Sequence, residues 1–545
     1  MTTTTFGIDL GTTYSCISYC DDSGHARVIR NAADDETTPS VVYFEDADNI
    51  VVGRYAKDLA KLYPESVVSL IKREMGTNWE REFHGRVHTP ESVSAIILRK
   101  LAEYASQQTG KMVGDVVITV PAYFGVAERE ATRRAGELAG LTVLNVIQEP
   151  IAAALHYEAE LAAREQSILV FDLGGGTFDT TVIKVADGDV RAVCTDGDHR
   201  LGGADWDDKL QEFLMETFLE ENPGSAAADD DAFAQEQLIA AEDIKKSLST
   251  MTSRRHVMRF GSESCRLEVT RAEFENLTSV LLDRAMDITT RIVQTAQDSG
   301  IDHFDSVLLI GGSSRMPAVA ARLREQFGYN ARLHEPEQAV AKGAARFAVL
   351  EAVRRQLPVP SDAASADASD SQVQAVADQL GVPQEMVRYM TDKNVTSVVP
   401  RAFGVKVFVE DDSASGTAEK RPMISHILEA NRSLPAGPET HNYVTGKQNQ
   451  TSILIEIWEQ AGAVASPELA DNTKIGQGAI TRLPELPKGS PIDVTFYMSA
   501  TGVLSVEAIE LRTKRRLTFD LQIKGLSGQK LDAAKDAVNH YAISE

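Results

Sequence analysis

The spacing of apolar and polar residues divides the chain into regions with different predicted elements. Up to about residue 356, short apolar runs typical of buried strands alternate with segments of helical period, which predicts an α/β fold. From 400 to 526 the period is two, and Gly, Pro and Asn separate the segments, which predicts a β-sandwich of about seven strands. We place these strands at 404–410, 424–428, 442–445, 452–459, 493–498, 504–510 and 516–523.

A strand, glycine loop and second strand stand out in the first region. The apolar run 168–171 leads through Asp172 to Gly174, Gly175 and Gly176, and the alternating segment 177–185 leads away past Asp179. Consecutive glycines expose backbone amides that can hold phosphate oxygens. Carboxylates beside such amides favour a divalent cation or an activated water. A hairpin with a glycine turn is the alternative, and for one isolated motif it is the better interpretation.

A second copy of this pattern favours nucleotide binding. Residues 6–9 end a strand at Asp9, and Gly11, Thr12, Thr13 and Tyr14 form the following turn. The sequence has no G-x-x-x-x-G-K-[ST] motif, and each glycine loop opens a strand where a dinucleotide-binding fold needs a helix. We therefore expect two lobes that grip a phosphate chain from opposite sides of a cleft.

Several other polar residues have both a functional and a structural interpretation. Lys72 follows an apolar run and is either a phosphate contact or a lysine that reaches out to solvent. Glu149 precedes Pro150 at a predicted helix start, where an acidic residue also complements the helix dipole. One predicted helical face carries a charged set that is either a ligand site or an exposed ion-paired surface: Glu242, Lys245, Lys246 and Ser249. Further glycine turns contain Gly202, Gly203, Gly311 and Gly312, and Ser313 is a predicted helix cap.

Composition limits the class of protein. With 545 residues, 43% hydrophobic and 25% charged, the chain is typical of soluble globular proteins of three or four domains. The net charge of -25 argues against a nucleic-acid or anionic-membrane surface. The four cysteines lack C-x-x-C spacing, and the N-terminus has no apolar leader, so we expect buried thiols in a cytoplasmic protein.

Six motifs together resemble the 70-kilodalton heat-shock chaperone family. They are GIDLGTTYSC, SLIKREMG, VITVPAYF, QEPIAAALHYE, FDLGGGTFD and LIGGSSRMP, and the resemblance covers nearly the whole chain. It implies an actin-like nucleotide-binding domain of duplicated, ribonuclease H-like lobes over 1–356. It further implies a linker, which we place at 357–399, a β-sandwich over 400–526 and a C-terminal helix over 527–545 as a lid remnant. Within the linker, 357–372 has few large apolar residues, which predicts a flexible stretch, and helical spacing over 373–389 with an interruption at 381–383 predicts two inserted short helices.

The resemblance also implies roles for individual residues. Asp9, Asp172 and Asp179 would surround Mg²⁺ largely through water, and Lys72 and Glu149 would lie near the attacking water. Thr12, Thr13, Thr177 and the glycine turns would hold the phosphates of ATP or ADP, with K⁺ as a further candidate ion. The adenosine contacts would be Glu242, Lys245, Lys246, Ser249 and Arg315, with Glu337 near the ribose or the outer phosphates. Lys246 replaces the usual arginine, which weakens stacking on adenine.

In the sandwich and the linker, the resemblance implies client binding with altered coupling. Ile424, Leu434 and Tyr443 would bracket an extended apolar peptide, although Leu434 fits the sandwich core equally well. The stretch 393–397 replaces the family's leucine-rich linker. Asn145 and Ser397 stand where the family has charged contacts for a J-domain co-chaperone, so we expect a weak J-domain response. With only one helix after the sandwich, we also expect clients to exchange quickly.

These features predict an ATP-dependent chaperone that binds exposed apolar segments of unfolded clients. Expected partners are client polypeptides, a J-domain co-chaperone and a nucleotide exchange factor, with no nucleic acid and no membrane. Two alternatives stay open at this point: a nucleotide-regulated scaffold or holdase with little turnover, and a small-molecule kinase of the same lobed fold. The sandwich has no task in a kinase, whereas the departures from the family favour the scaffold.

Overall fold

A computed structural model describes residues 4–158, 165–186, 188–357, 369–410, 420–462, 464–520 and 529–544. Most of the predicted flexible linker, 357–372, lies outside the described residues, as do residues 521–526 of the predicted sandwich.

The first lobe is built on a sheet in the order β11-β10-β1-β2-β3, with β4 paired to β2. Its strands are β1 Phe6–Asp9, β2 Tyr14–Cys20, β3 Ala26–Val28, β4 Thr38–Pro39, β5 Val42–Phe44, β6 Asn49–Val52, β7 Val67–Val68, β8 Arg81–Phe83, β9 Arg86–His88, β10 Asp115–Val120 and β11 Thr142–Gln148. Its helices are α1 Arg54–Leu59, α2 Pro90–Thr109, α3 Val126–Leu138 and α4 Glu149–Glu158.

The second lobe is built on a sheet in the order β18-β17-β12-β13-β14, extended by β19. Its strands are β12 Gln166–Leu173, β13 Phe178–Ala186, β14 Asp189–Asp198, β15 Ser253–Phe260, β16 Glu263–Thr270, β17 Ser306–Ile310, β18 Arg332–Leu333 and β19 Val395–Thr396. Its helices are α5 Gly203–Glu221, α6 Asp231–Leu248, α7 Arg271–Leu277, α8 Ser279–Asp298, α9 Pro317–Phe327 and α10 Ala339–Gln356.

The two lobes repeat one strand arrangement. β1 pairs in parallel with β10 and antiparallel with β2, and β12 pairs in the same way with β17 and β13. Each lobe has its own apolar core. α10 packs against α4 and joins a third apolar cluster at the base of both lobes. The repeated arrangement places the carboxyl ends of β1 and β12 at one cleft.

Local sequence explains where many of these elements begin and end. Thr89 and Ser92 form a capping box at the start of α2, and Gly110 ends that helix in a left-handed conformation. Pro317 opens α9 at its first turn, and Gly328 caps its end. All four cysteines are buried free thiols, which confirms the expected thiol state.

The predicted β-rich region forms two four-stranded antiparallel sheets, β21-β20-β23-β24 and β22-β25-β26-β27. The strands are β20 Phe403–Glu410, β21 Lys420–Leu428, β22 Ala436–Val444, β23 Ile453–Gln460, β24 Asn472–Ile480, β25 Pro491–Met498, β26 Leu504–Glu510 and β27 Arg515–Asp520. We call residues 400–520 the sandwich. The sequence prediction missed β24, because its two glycines lower strand propensity. Pairing with β23 along the whole strand supplies the order that local propensity lacks.

Two short helices precede the sandwich, as the interrupted helical pattern predicted. They are α11 Asp370–Leu380 and α12 Gln384–Thr391, separated at Gly381. Their apolar sides join the cluster at the base of the lobes. β19 then pairs in parallel with β14. We call residues 369–396 the inserted segment.

The last described segment returns to the first lobe. It consists of α13 Gln529–His540 and β28 Ala542–Ser544. α13 packs on α2, and β28 pairs with β6. The prediction of a lid remnant did not include this packing, in which Ala534 and Val538 of α13 join the apolar core of the first lobe. No helix among the described residues is long and apolar enough to cross a membrane.

Candidate nucleotide-binding site

Three aspartates from the central strands of both lobes meet in the cleft. Asp9 ends β1, Asp172 lies near the end of β12 and Asp179 lies near the start of β13. The Asp9 carboxylate accepts a hydrogen bond from the Thr119 hydroxyl at 2.8 Å, and that of Asp179 accepts one from the Tyr123 amide at 2.9 Å. Strand topology therefore brings together carboxylates that lie up to 170 positions apart.

The aspartates carry more negative charge than the surrounding chain neutralises. Burial, followed by the nearby carboxylate of Glu149, raises the pKa of Asp9 to about 7. The same two causes raise the pKa of Asp172 and of Asp179 well above the usual value. Buried carboxylates without enough cationic partners favour a bound cation.

Lys72 and Glu149 form a buried ion pair beside these aspartates. The Lys72 ammonium lies 2.6 Å from Oε1 of Glu149 and is only 3% exposed. Lys72 sits in a tight turn over Ile71–Glu74, and Glu149 is the first residue of α4. Lys72 therefore does not extend to solvent, and the pair presents an ammonium and a carboxylate to the same cleft.

The two glycine loops face each other across the cleft. A Cβ atom on Gly175 would lie 1.9 Å from Oγ1 of Thr13, and one on Gly176 would lie 2.2 Å from Cγ2 of Thr12. Any side chain at these glycines would therefore displace the threonines. Gly11 and Tyr14 flank the threonines, and Thr177 is buried beside Gly176.

A third glycine turn is joined to the second by backbone hydrogen bonds. The Gly203 amide donates to the Gly174 carbonyl at 2.9 Å, and the Ala204 amide donates to the Gly175 carbonyl at 2.8 Å. Gly202 packs on the backbone of Gly176 so closely that its Cβ position would lie 2.5 Å from backbone atoms. The loops that were predicted separately thus form one cradle of backbone groups, which we call the phosphate cradle (residues 11–14, 174–177 and 202–203).

Arg73 ties the first lobe to this cradle, and sequence reasoning did not give it a role. Its Nε donates to the Gly176 carbonyl at 3.0 Å, and its Nη2 lies 2.6 Å from Asp205. The Asp205 carboxylate also accepts the Gly202 amide at 2.7 Å. The sequence signal that could have identified Arg73 is its position next to Lys72. The partners of Arg73, however, lie more than 100 positions away in the sequence.

Residues on the predicted adenosine face of α6 form contacts between the two lobes. The Tyr14 hydroxyl donates to Glu242 at 2.9 Å and accepts from the Lys246 ammonium at 2.8 Å. Lys57, which the sequence did not single out, also pairs with Glu242. Burial would raise the Glu242 pKa, but the two lysines outweigh it and lower this pKa to about 2.

Other predicted contacts form the wall behind the cradle. The Lys245 ammonium donates to the Gly203 carbonyl and to Asp207, each at 2.7 Å. Burial raises the pKa of Asp207 to about 6. The Ser249 hydroxyl points back to the Lys245 carbonyl at 3.4 Å at the end of α6.

The turn after β17 borders the cleft from the second lobe. Gly311 has φ +77°, and its Cβ position would lie 2.5 Å from the Asp172 carboxylate. Gly312 follows, and Ser313 is buried against Gly203. Arg315 pairs with Glu337 at 3.0 Å, and both side chains are about half exposed.

A hydrated magnesium ion fits this donor set. No group of three or more His, Cys, Asp or Glu side chains among the described residues is arranged to hold a metal ion directly. Asp9, Asp172 and Asp179 would instead hold the ion through water, which suits the reluctance of Mg²⁺ to shed its waters.

The three predicted peptide contacts have different surroundings in the sandwich. Leu434 lies in the sandwich core and is buried. Ile424 is buried, and its amide donates to the Pro467 carbonyl at 2.8 Å. The Tyr443 hydroxyl lies 2.9 Å from that of Ser425, next to Ile424. Two apolar side chains that sequence reasoning missed are well exposed on adjacent strands: Phe408 at 63% and Leu454 at 58%.

A protein-family model described as Hsp70 protein matches residues 5–84, 80–357 and 414–542. The chain belongs to the Hsp70 family. Members are chaperones with an actin-like ATPase domain and a β-sandwich, and they bind ATP or ADP with Mg²⁺, client polypeptides and co-chaperones. The duplicated sheets and the sandwich are consistent with this architecture. The match omits 358–413, which contains α11, α12 and β19.

Proposed function

We propose that this protein is an Hsp70-type chaperone that hydrolyses ATP in the cleft and binds apolar segments of unfolded polypeptides on the sandwich. The observation that carries the proposal is the buried Lys72–Glu149 pair beside three aspartates and the phosphate cradle. Phosphoryl transfer needs mainly positioning and charge stabilisation, and the cleft supplies both kinds of group.

Each residue has a role that its surroundings support. The cradle amides and the threonine hydroxyls would hold phosphate oxygens, and Tyr14 and Glu242 would border the nucleoside. Glu149, held by Lys72, would orient the attacking water and accept its proton. Bound Mg²⁺ would neutralise charge on the phosphates.

Client binding is supported by the exposed apolar side chains of the sandwich. Phe408 and Leu454 lie on neighbouring strands of one sheet, and Val444, exposed at 63%, lies on β22 of the other sheet. Contiguous apolar exposure marks interaction surfaces in soluble proteins. Apolar stretches of unfolded chains are the matching chemistry.

The nucleotide-regulated scaffold is the second candidate. It is favoured by the inserted segment, whose strand β19 pairs with β14 in place of a family-type linker. The kinase alternative has no comparable support, because a small-molecule kinase would make no use of the exposed apolar side chains of the sandwich.

The test of hydrolysis is Asp172→Asn, which removes a charge and keeps the shape. We expect nucleotide binding to persist and single-turnover hydrolysis to fall by about tenfold or more, as for a lost catalytic contact. The control is Asp22→Asn, an exposed loop residue that should leave the rate unchanged. Wild-type turnover in the Asp172 variant would contradict the assigned role.

The test of client binding is Phe408→Ala. Removing this exposed ring should weaken binding of a labelled apolar peptide about tenfold, because hot-spot aromatic residues contribute on the order of 1–2 kcal/mol. Val280→Ala, at an exposed apolar site on α8, is the control. Two results together would favour the scaffold. ATP hydrolysis would not respond to any unfolded polypeptide, and the Phe408 variant would bind the peptide as well as the wild type does.

A further inference from the structure

The segment after the sandwich is integrated into the first lobe as a sheet strand. β28 pairs in parallel with β6, with Ala542 opposite Asn49 and Ser544 opposite Val51. The Ala542 amide donates to the Asp48 carbonyl at 2.9 Å. β28 thereby covers the edge of the small sheet β28-β6-β5-β7.

The helix before this strand is fixed by an arginine of α2. Arg99 donates from Nη1 to the Val538 carbonyl at 2.5 Å and from Nη2 to the Tyr541 carbonyl at 3.0 Å. A guanidinium at a helix C-terminus satisfies free carbonyls and complements the helix dipole. Ala534 and Val538, on the same helix, are buried in the first-lobe core.

Tyr541 is the anchor between helix and strand. Its side chain is 1% exposed, and its hydroxyl lies 3.1 Å from Nε2 of His88. The Arg86 guanidinium lies 5.4 Å from its ring centroid, and Phe44 packs edge-on at 6.1 Å. Tyr541 is therefore packed as part of the first-lobe core.

The other end of the sandwich is also attached to the nucleotide-binding domain. The inserted segment packs at the base of the lobes, and β19 extends the second-lobe sheet. Between these attachments the sandwich contacts the domain directly, since the Tyr123 hydroxyl donates to the Gly462 carbonyl at 2.9 Å. One attachment thus holds the second lobe and the base, and the other holds the first lobe.

We propose that residues 529–544 form a strap that keeps the sandwich docked on the nucleotide-binding domain whichever nucleotide is bound. Eight residues separate Asp520 from Gln529, so the connection spans at most about 30 Å at roughly 3.3–3.6 Å per residue. While the strap is bound, the sandwich stays at high effective concentration near its interface, and docking is an intramolecular event. Nucleotide exchange would then alter the interface without releasing the sandwich.

The test measures the distance between the two domains in the full chain. Spin labels at Met112→Cys in the first lobe and Glu485→Cys in the sandwich occupy exposed positions, and the four native cysteines are buried. We expect one short-distance population with ATP and the same population with ADP. A large long-distance population with ADP in this otherwise unchanged chain would overturn the proposal.

Two strap variants extend the test. Tyr541→Ala removes the anchor, and Arg99→Met removes the contacts to α13 and leaves the strap sequence intact. With ADP, each should lower the ratio of docked to undocked molecules by about tenfold or more. Asp536→Ala, on the exposed side of α13, should change nothing. Unchanged distances in both folded strap variants would refute the strap.

Hydrogen exchange on the wild-type chain gives a result that does not depend on variant folding. The strap proposal requires the amides of 534–544 to be equally protected with ATP and with ADP, since protection reports local opening. Fast exchange of these amides with ADP alone would mean that the segment releases, and would overturn the proposal.

Discussion

Buried carboxylates in the cleft and in the sandwich have opposite surroundings. Glu510 in the sandwich is buried, but its oxygens accept the Thr513 amide at 2.7 Å, the Arg512 amide at 3.1 Å and the Thr513 hydroxyl. Burial alone would raise its pKa, yet these hydrogen bonds lower it. In the cleft, burial and then repulsion from Glu149 raise the pKa of Asp172 and Asp179.

The difference separates structural carboxylates from ligand-binding ones. A carboxylate that the chain satisfies by itself keeps its charge at little cost. A group of carboxylates with too few positively charged partners lowers the stability of the fold unless a ligand supplies positive charge. Such groups mark functional sites. Glu459 is intermediate between these two cases. Its partner Arg401 also pairs with Glu128, at the contact between the sandwich and α3.

The largest expected effect comes from removing the Lys72 ammonium group from the cleft. Lys72→Met leaves Glu149 buried beside three aspartates, so we expect single-turnover hydrolysis to fall by about a hundredfold or more. The free energy of unfolding without nucleotide should also fall, by about 3–5 kcal/mol, as when one partner of a buried pair is lost.

The matched controls separate charge from general damage. Adding Glu149→Gln should restore much of the stability but not the rate, because it removes the unpaired charge and the water-orienting group together. Lys447→Met, at an exposed sandwich lysine, should change neither quantity. A Lys72 variant with normal hydrolysis would show that the pair is only structural.

A smaller effect is expected where the sandwich meets α3. Arg401 is buried, lies 3.3 Å from Glu128 and 3.7 Å from Glu459, and its guanidinium lies 4.5 Å from the Tyr123 ring centroid. Arg401→Met removes the cation that Glu128 and Glu459 share and should lower the free energy of unfolding by about 3 kcal/mol. Arg421→Met breaks an exposed pair with Glu468 and should cost less than about 1 kcal/mol. Equal melting shifts in the two variants would contradict the comparison.

Per pH unit, the smallest effect is a difference in pH dependence between two glutamates. Burial, with repulsion from Glu128, raises the Glu459 pKa from 4.5 to about 7 despite Arg401. The native state therefore binds this proton more tightly than the unfolded state, and stability should fall as pH rises from about 4.5 to 7. Glu459→Gln should remove that part of the slope, which is at most about 1.4 kcal/mol per pH unit.

Glu510→Gln provides the opposite sign. Its pKa is lowered, so its contribution is present above its unfolded pKa and is lost as pH falls. Thermal unfolding of both variants across pH 4 to 8, each compared with wild type, measures the two slopes. Slopes of the same sign would show that the two carboxylates do not differ as described.

Local sequence determined the elements that carry the chemistry. The glycine loops at 174–176 and 11–14, the Pro317 helix start and the division of 373–389 into two helices are encoded by residues that constrain their own backbone. The second copy of the glycine loop predicted two lobes, and the period of two predicted the sandwich, since both signals are local properties of the sequence.

Only the tertiary structure decided which charges meet and where the last helix lies. Arg73 contacts Gly176 and Asp205, Lys57 contacts Glu242, and Arg99 contacts Tyr541. In each of these contacts the two residues are more than 100 and up to 442 positions apart in the sequence. β24 likewise forms through pairing with β23 despite its glycines. No local pattern specifies such contacts, because their energy depends on burial and on partners that the fold supplies.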